Sequence, residues 1–231
     1  ILGRQGIIDS EILKQNIFVG ELSLGGEIKR ISGVLSLAQL AHEENLGLVL
    51  PRANYGEMTL VSHTKPIFAP NLEELVSHLR GKKKLSPLPS PPQIKTPVRD
   101  EHIVIKGQEQ AKRALEIAAL GRHHIMLLGP PGVGKTLLAK SAIELLPPPS
   151  QEEIITLTKI YEAAGLLGEN APPINRRPLR TPHHSVSLGA LIGGRNGRPG
   201  EITLAHLGIL LLDEFPEFNQ GALQGLREPL D

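Results

Sequence analysis

The chain has no cysteine and no tryptophan, and aromatic residues make up 3% of its 231 positions. The absence of cysteine excludes disulfides, thiol nucleophiles and thiolate metal sites together, and it fits a reducing, cytoplasmic setting. Excess charge of either sign is also missing: 25 Lys and Arg face 24 Asp and Glu. No global field for polyanions exists, so any nucleic-acid contact has to come from a local patch. Long apolar runs are absent as well. None approaches the roughly 18 residues a membrane span requires, and no signal peptide is visible at the amino end. The length suits one large domain or two ordinary ones.

Against these absences stands the octapeptide GPPGVGKT, comprising Gly129, Pro130, Pro131, Gly132, Val133, Gly134, Lys135 and Thr136. It fits G-x-x-x-x-G-K-[ST] at every fixed position. The glycines let the backbone turn sharply and bring N–H groups close to phosphate oxygens. The helix that follows directs its free N–H groups and positive dipole end at the anion. Lys135 is expected to reach the β- and γ-phosphates and the Thr136 hydroxyl to ligate Mg²⁺. Leu137 continues the nucleotide-binding stretch into the helix. The apolar run Ile125–Leu128 before the loop reads as a buried strand, and Lys135–Leu146 after it as a helix without Gly or Pro.

A second motif, Ile209-Leu210-Leu211-Leu212-Asp213-Glu214, has the form of a buried parallel strand with two carboxylates at its carboxyl end. Ligands of open α/β sheets bind at that end. Asp213 is therefore assigned to Mg²⁺, directly or through water, and Glu214 to polarising the attacking water. Lys135 and Glu214 are the candidate catalytic residues. The expected substrate and cofactor are ATP and Mg²⁺, and the paired acids favour an ATPase over a small-molecule kinase.

Residues 1–81 read as a small α/β unit. Strands are expected at Ile17–Leu24 and Glu27–Ile31, joined at Gly25-Gly26, with a helix at Val34–Glu44 and a short strand at Leu46–Leu50. A further helix begins at Asn71, capped with Glu74 three residues on, and stops at Gly81. Residues 82–98 are rich in Pro and Lys and read as an extended, semi-rigid linker. The second unit, 99–231, is expected to hold a helix at Gln110–Leu120 and another at Gln151–Ala164. A Gly/Pro-rich insertion, 165–207, then precedes the acidic strand. That order implies a parallel sheet with helices on its faces.

The insertion carries Arg176, Arg177, Arg180, Arg195 and Arg198, and residues 170–200 contain no Asp or Glu. Two readings stand side by side. The arginines face nucleic-acid phosphates or a neighbouring subunit's nucleotide, or they pair locally with Glu162, Glu169 or Glu201. No aromatic residue lies among them to stack on bases. His183-His184 is a poor metal site, because no Cys or further His stands at ligand spacing, and an interface or structural role is expected instead.

The stretch IKGQEQAKRALEIAALGRHHIMLLGPPGVGKT resembles the opening of an AAA+ ATPase, with Ile105 to Gln108 in the place of the adenine-side box. RRPLRTPHHSVSLGALIGG and RPGEITLAHLGILLLDEFPEF are similar to the magnesium-chelatase-like branch called ComM or YifB. The resemblance covers residues 99–231. It implies a P-loop parallel sheet with helices on both faces, a homo-oligomeric ring, usually a hexamer, that hydrolyses ATP, and DNA helicase or branch-migration activity in natural transformation. A chelatase-type accessory ATPase for metal insertion is the first alternative.

FVGELSLGGEIKRISGVLSLAQLAHEENLGLVLP in the first unit resembles the later half of a Lon-protease-like domain of ribosomal S5-like fold. The resemblance would place the catalytic lysine of a Ser–Lys pair at Leu35. Leucine cannot act as a base, so an ATP-dependent protease is the disfavoured alternative. The chain opens at Ile1 without an initiator Met and stops at Asp231, soon after the acidic motif. It is therefore expected to be a fragment that lacks the family's sensor strand, arginine finger and helical lid and hydrolyses ATP slowly by itself.

Overall fold

The computed structural model describes residues 2–61, 63–85, 88, 103–168, 171–194 and 197–230. The expected linker at 86–87 and 89–98, together with Arg195 and Glu169, lies outside the described residues. The chain divides into two compact units, one of residues 1–94 with 165–173 and one of 95–164 with 174–231.

The first unit runs α1 (Ser10–Lys14), β1 (Asn16–Phe18), β2 (Glu21–Leu22), β3 (Ile28–Lys29), α2 (Val34–Glu43), β4 (Gly47–Pro51), α3 (Tyr55–Met58), β5 (Ile67–Ala69) and α4 (Leu72–Leu79). Its three-stranded sheet has the order β1-β4-β5 and is parallel throughout, with Ile17 opposite Leu48 and Leu50 opposite Phe68. The central strand is buried from Leu48 to Pro51, as a strand covered on both faces must be. The Asn71 side chain accepts the Glu74 N–H at 2.8 Å and so caps α4 as its sequence predicts.

The expected strand Ile17–Leu24 is broken in two. Its first half pairs with β4 and its second with β3. The break falls at Gly20, where a Cβ would lie 2.4 Å from Ile28 Cγ2, so only glycine lets the strand change partners here. The turn between β2 and β3 uses Gly26 at φ 83°.

Helix α2 buries Val34, Leu35, Ala38 and Ala41 along one face. Leu35, where the Lon-like resemblance would place a catalytic lysine, is 1% exposed and is one of the largest fully buried side chains. The position is core. Leu35→Ala is expected to destabilise this unit by about 2–5 kcal/mol. Leu35→Lys, which buries an unpaired ammonium, should be worse and should create no peptidase activity. Denaturant unfolding with casein cleavage as a second assay checks both; wild-type stability of the lysine variant would contradict the assignment.

The second unit contains α5 (Glu109–Gly121), α6 (Lys135–Ser141), α7 (Gln151–Ala163), β6 (Leu179–Arg180), α8 (Leu188–Ile192), α9 (Glu201–Leu204), β7 (Ile209–Leu210), α10 (Gln220–Gly225) and α11 (Arg227–Leu230). Strands β6 and β7 are parallel, with Leu179 opposite Ile209 and Arg180 opposite Leu210. Side chains alternate across a strand. Accordingly, Ile209 joins the cluster of Leu115, Leu138 and Ala142, while Leu210 and Leu212 join that of Leu191, Ala222 and Leu226. Helices α5 and α6 thus cover one face of β7, and α8 and α10 cover the other, which is the α/β arrangement expected of a P-loop fold.

Three expectations are corrected. Ile125–Leu128 joins no strand pair among the described residues, and Ile125, Met126 and Leu128 are 43%, 65% and 86% exposed. An apolar run is covered as a central strand only when neighbours pair along both edges, whereas β6 and β7 form a two-stranded sheet. Leu127 alone of the run packs on the Leu115 cluster. The acidic strand spans two residues and is half-buried, shorter and more open than the four-residue run predicts. The 165–207 insertion is organised rather than loop throughout, since it contains β6, α8 and α9.

Candidate functional site

Four segments of the second unit converge: the glycine-rich loop, the start of α5, the acid pair after β7 and the residues after β6. Helix α6 begins at Lys135 behind Gly134, whose φ is 84°; Gly132 also has positive φ, at 79°. At both glycines a Cβ would point into open space, so backbone conformation and not crowding by the protein demands glycine there. Pro130 and Pro131 carry no N–H, so the loop's unbroken run of backbone donors is Gly132 to Thr136. The Lys135 ammonium lies across the loop and donates to the carbonyls of Gly129 at 2.9 Å and Pro130 at 2.8 Å.

Gln108, placed by the sequence on the adenine side, donates from its side-chain amide to the Val133 carbonyl. Ile105 packs on the cluster of Leu115, Leu138 and Ala142. Val133 and Leu137 are 40% and 49% exposed, so the rim of the loop is apolar and open.

The two sequence motifs meet directly. Thr136 Oγ1 donates to Asp213 Oδ2 at 2.8 Å, across 77 residues of chain. Mg²⁺ prefers octahedral oxygen ligands at about 2.0–2.1 Å, for which neighbouring oxygens lie about 3 Å apart. The hydroxyl and carboxylate therefore fit adjacent positions around such an ion, and the donor set is all oxygen, as a hard cation requires. Glu214 follows in a left-handed conformation, φ 55°, and its N–H donates to Asp213 Oδ1 at 3.1 Å. Gln108 is left-handed too, at φ 61°. Non-glycine residues persist in that region only where their surroundings hold them, so both positions carry local strain at the candidate site.

His184 was missed as part of this group. Its Nδ1 lies 3.4 Å from Glu214 Oε2. The signal available in the sequence was positional, because residues following a strand parallel to the acidic one emerge at the same sheet end.

The arginine-rich segment has largely internal partners. Arg177, whose side chain is 8% exposed, donates to Glu153 at 2.8 Å, to the Leu207 carbonyl at 2.8 Å and to the Pro147 carbonyl at 2.5 Å. Arg180 forks onto both carboxylate oxygens of Glu201, at 2.7 and 2.8 Å. That pair raises the Arg180 pKa, and burial raises that of the nearby Tyr161. Arg177 and Arg180 are both paired locally, Arg180 with Glu201, which the sequence offered as a partner, and Arg177 with Glu153, which it did not single out. Arg176 and Arg198 are exposed.

Glu153 serves two structures at once. It accepts the Ser150 N–H in a reciprocal cap at the start of α7 and receives the Arg177 guanidinium. The Ser150 N–H first, and Arg177 second, hold its pKa below the ordinary 4.5. A lowered carboxylate stabilises the fold fully above its unfolded value and loses that contribution as pH falls through the native one. Arg177→Met is therefore expected to cost about 1–3 kcal/mol at neutral pH, because it leaves the part-buried Glu153 carboxylate and Leu207 carbonyl without their guanidinium partner. It should also flatten the loss of stability below pH 4.5. Chemical denaturation as a function of pH measures both, and an unchanged stability and acid profile would contradict the pairing.

The family described as magnesium chelatase, subunit ChlI, matches residues 102–231. An uncharacterized protein YifB of Salmonella typhimurium is 42% identical over 220 residues, covering 92% of this chain and 42% of its own length. The competence protein ComM of Haemophilus influenzae is 39% identical over 247 residues, covering 100% of this chain and 46% of its own. An archaeal Lon protease of Archaeoglobus fulgidus is similar over a short stretch, 47% identical in 49 residues, which is 21% of this chain and 8% of that protein. The chain thus spans less than half the length of the ComM and YifB relatives.

Proposed function

The chain belongs to the magnesium-chelatase-like AAA+ ATPase family that includes ComM and YifB, and we propose that it binds ATP with Mg²⁺ and hydrolyses it. The observation that carries this reading is the Thr136–Asp213 hydrogen bond, which joins the phosphate loop to the acidic motif.

The proposed roles are supported by the geometry of the loop and the acid pair. The N–H groups of Gly132 to Thr136 cradle the β-phosphate, helped by the open space over Gly132 and Gly134. Lys135 exchanges its carbonyl acceptors at Gly129 and Pro130 for phosphate oxygens. Thr136 and Asp213 hold Mg²⁺, which supplies charge neutralisation for the phosphates when bound. Glu214 orients the water that attacks the γ-phosphorus and accepts its proton. Ile105 and Gln108 border the base. The charge that develops on the transferred phosphoryl group calls for a further cation, and an arginine finger is typically worth about 10³–10⁵ in rate. A neighbouring subunit of a homo-oligomeric ring is its proposed source.

The proposed work is DNA remodelling. It rests on the likeness to a protein named for competence and on the exposed Arg176 and Arg198 at the surface of the insertion. Arg177 and Arg180 have no part in this proposal, since their guanidinium groups hold the insertion together. Stimulation of the full-length protein's ATP hydrolysis by DNA tests the coupling; turnover indifferent to DNA would favour the metal-insertion alternative.

For the site itself, Lys135→Ala should lower affinity for a fluorescent ATP analogue by at least about tenfold, the loss of one charge-assisted phosphate contact. Circular dichroism should show the fold retained. Equal affinity of the two proteins in a titration would overturn the nucleotide-site assignment.

A further inference from the structure

Glu214 has a task that demands a fixed carboxylate and a setting that does not fix one. Its side chain is 68% exposed, and an exposed glutamate samples several rotamers. The left-handed backbone at φ 55° turns the residue off the course of β7. What meets the carboxylate there is His184, with Nδ1 3.4 Å from Oε2 and a side chain 35% exposed.

His184 is itself supported. The His183 ring lies against it, with centroids 3.9 Å apart and planes inclined by 38°. His183 is anchored in turn by Ser185, whose N–H donates to His183 Nδ1 at 3.3 Å and whose hydroxyl lies 2.9 Å from the same nitrogen. Val186 N–H donates to the His183 carbonyl at 2.9 Å and closes the turn. The turn follows β6, and β6 is tied to the acidic strand by Ile209 N–H to the Pro178 carbonyl at 2.9 Å and Leu211 N–H to the Arg180 carbonyl at 2.8 Å. A histidine pair that makes no metal site by its spacing is thereby delivered to the one acidic side chain of the site that lacks support of its own.

We propose that His184 is a positioning residue for the water-orienting carboxylate of Glu214, with His183 as the backing surface that keeps its imidazole turned toward Glu214. The inference rests on the role given to Glu214 in the nucleotide-site reading. Among the described residues His184 makes no hydrogen bond or ion pair to the phosphate loop or to the Thr136–Asp213 pair, so its effect should fall on turnover and not on nucleotide binding.

The test compares wild type, His184→Ala and His184→Gln in the full-length protein. His184→Ala is expected to lower kcat roughly 10- to 100-fold, the scale of a misplaced catalytic group. Affinity for a fluorescent ATP analogue should stay within about twofold of wild type. His184→Gln, which keeps a polar group able to reach the carboxylate, should recover part of the loss, as bulk alone would not. A readout independent of turnover is the imidazole carbon resonance of His184, which should move on Glu214→Gln while that of His206 stays. Unchanged or raised kcat in His184→Ala overturns the proposal, as does a parallel fall in kcat and affinity. Wild-type protein that binds no nucleotide overturns the underlying site reading instead, and the His184 resonance then still reports whether the two side chains meet.

Discussion

A single hydrogen bond, from the Thr136 hydroxyl to the Asp213 carboxylate at 2.8 Å, turns two separate motifs into one site. Neither motif reaches the other by local structure. Thr136 is placed by the left-handed Gly134 that starts α6, and Asp213 by the strand that precedes it. That strand is only two residues long, yet it is held on both faces, by the Leu115–Leu138 cluster on one side and the Leu191–Ala222 cluster on the other. The geometry of the Thr136–Asp213 pair therefore depends on packing several residues away from its oxygen atoms.

The same dependence explains the arginine-rich insertion. Residues 170–200 hold no acid, so their positive charge looks unopposed in the sequence. In the fold, α7 supplies Glu153 and α9 supplies Glu201, and these receive Arg177 and Arg180. The guanidinium groups fix the segment that becomes β6, and β6 is the only strand that pairs with the acidic strand among the described residues. A pair of ionic clamps thus lies mechanically upstream of the nucleotide site. Partly buried Arg–carboxylate forks suit this task, since they are directional as well as attractive.

Much of the site was legible because its chemistry needs particular residue types at fixed local spacing. The phosphate loop, the acid pair, the caps at Asn71 and the face of α2 are all local patterns, and each lies where its pattern puts it. What escaped the sequence was non-local or marginal. The Ile125–Leu128 run has the apolarity of a buried strand, but a strand needs partners, and apolarity alone supplies none. The break falls at Gly20, where Ile28 packs too close for a Cβ, and no local pattern announces that approach. Glu153 and His184 are ordinary residues in sequence, and only the fold brings one to Arg177 and the other to Glu214.

The central claim is that Thr136 and Asp213 form one Mg²⁺-dependent nucleotide site, and the Mg²⁺ dependence of ATP affinity in Asp213→Asn tests it most directly. The wild type should bind a fluorescent ATP analogue much more tightly with Mg²⁺ than with a chelator present. The variant should retain Mg²⁺-free binding through the phosphate loop and Lys135 but lose most of the gain on adding the ion. Full Mg²⁺ dependence in Asp213→Asn would contradict the account, because the carboxylate beside Thr136 would then have no part in holding the ion.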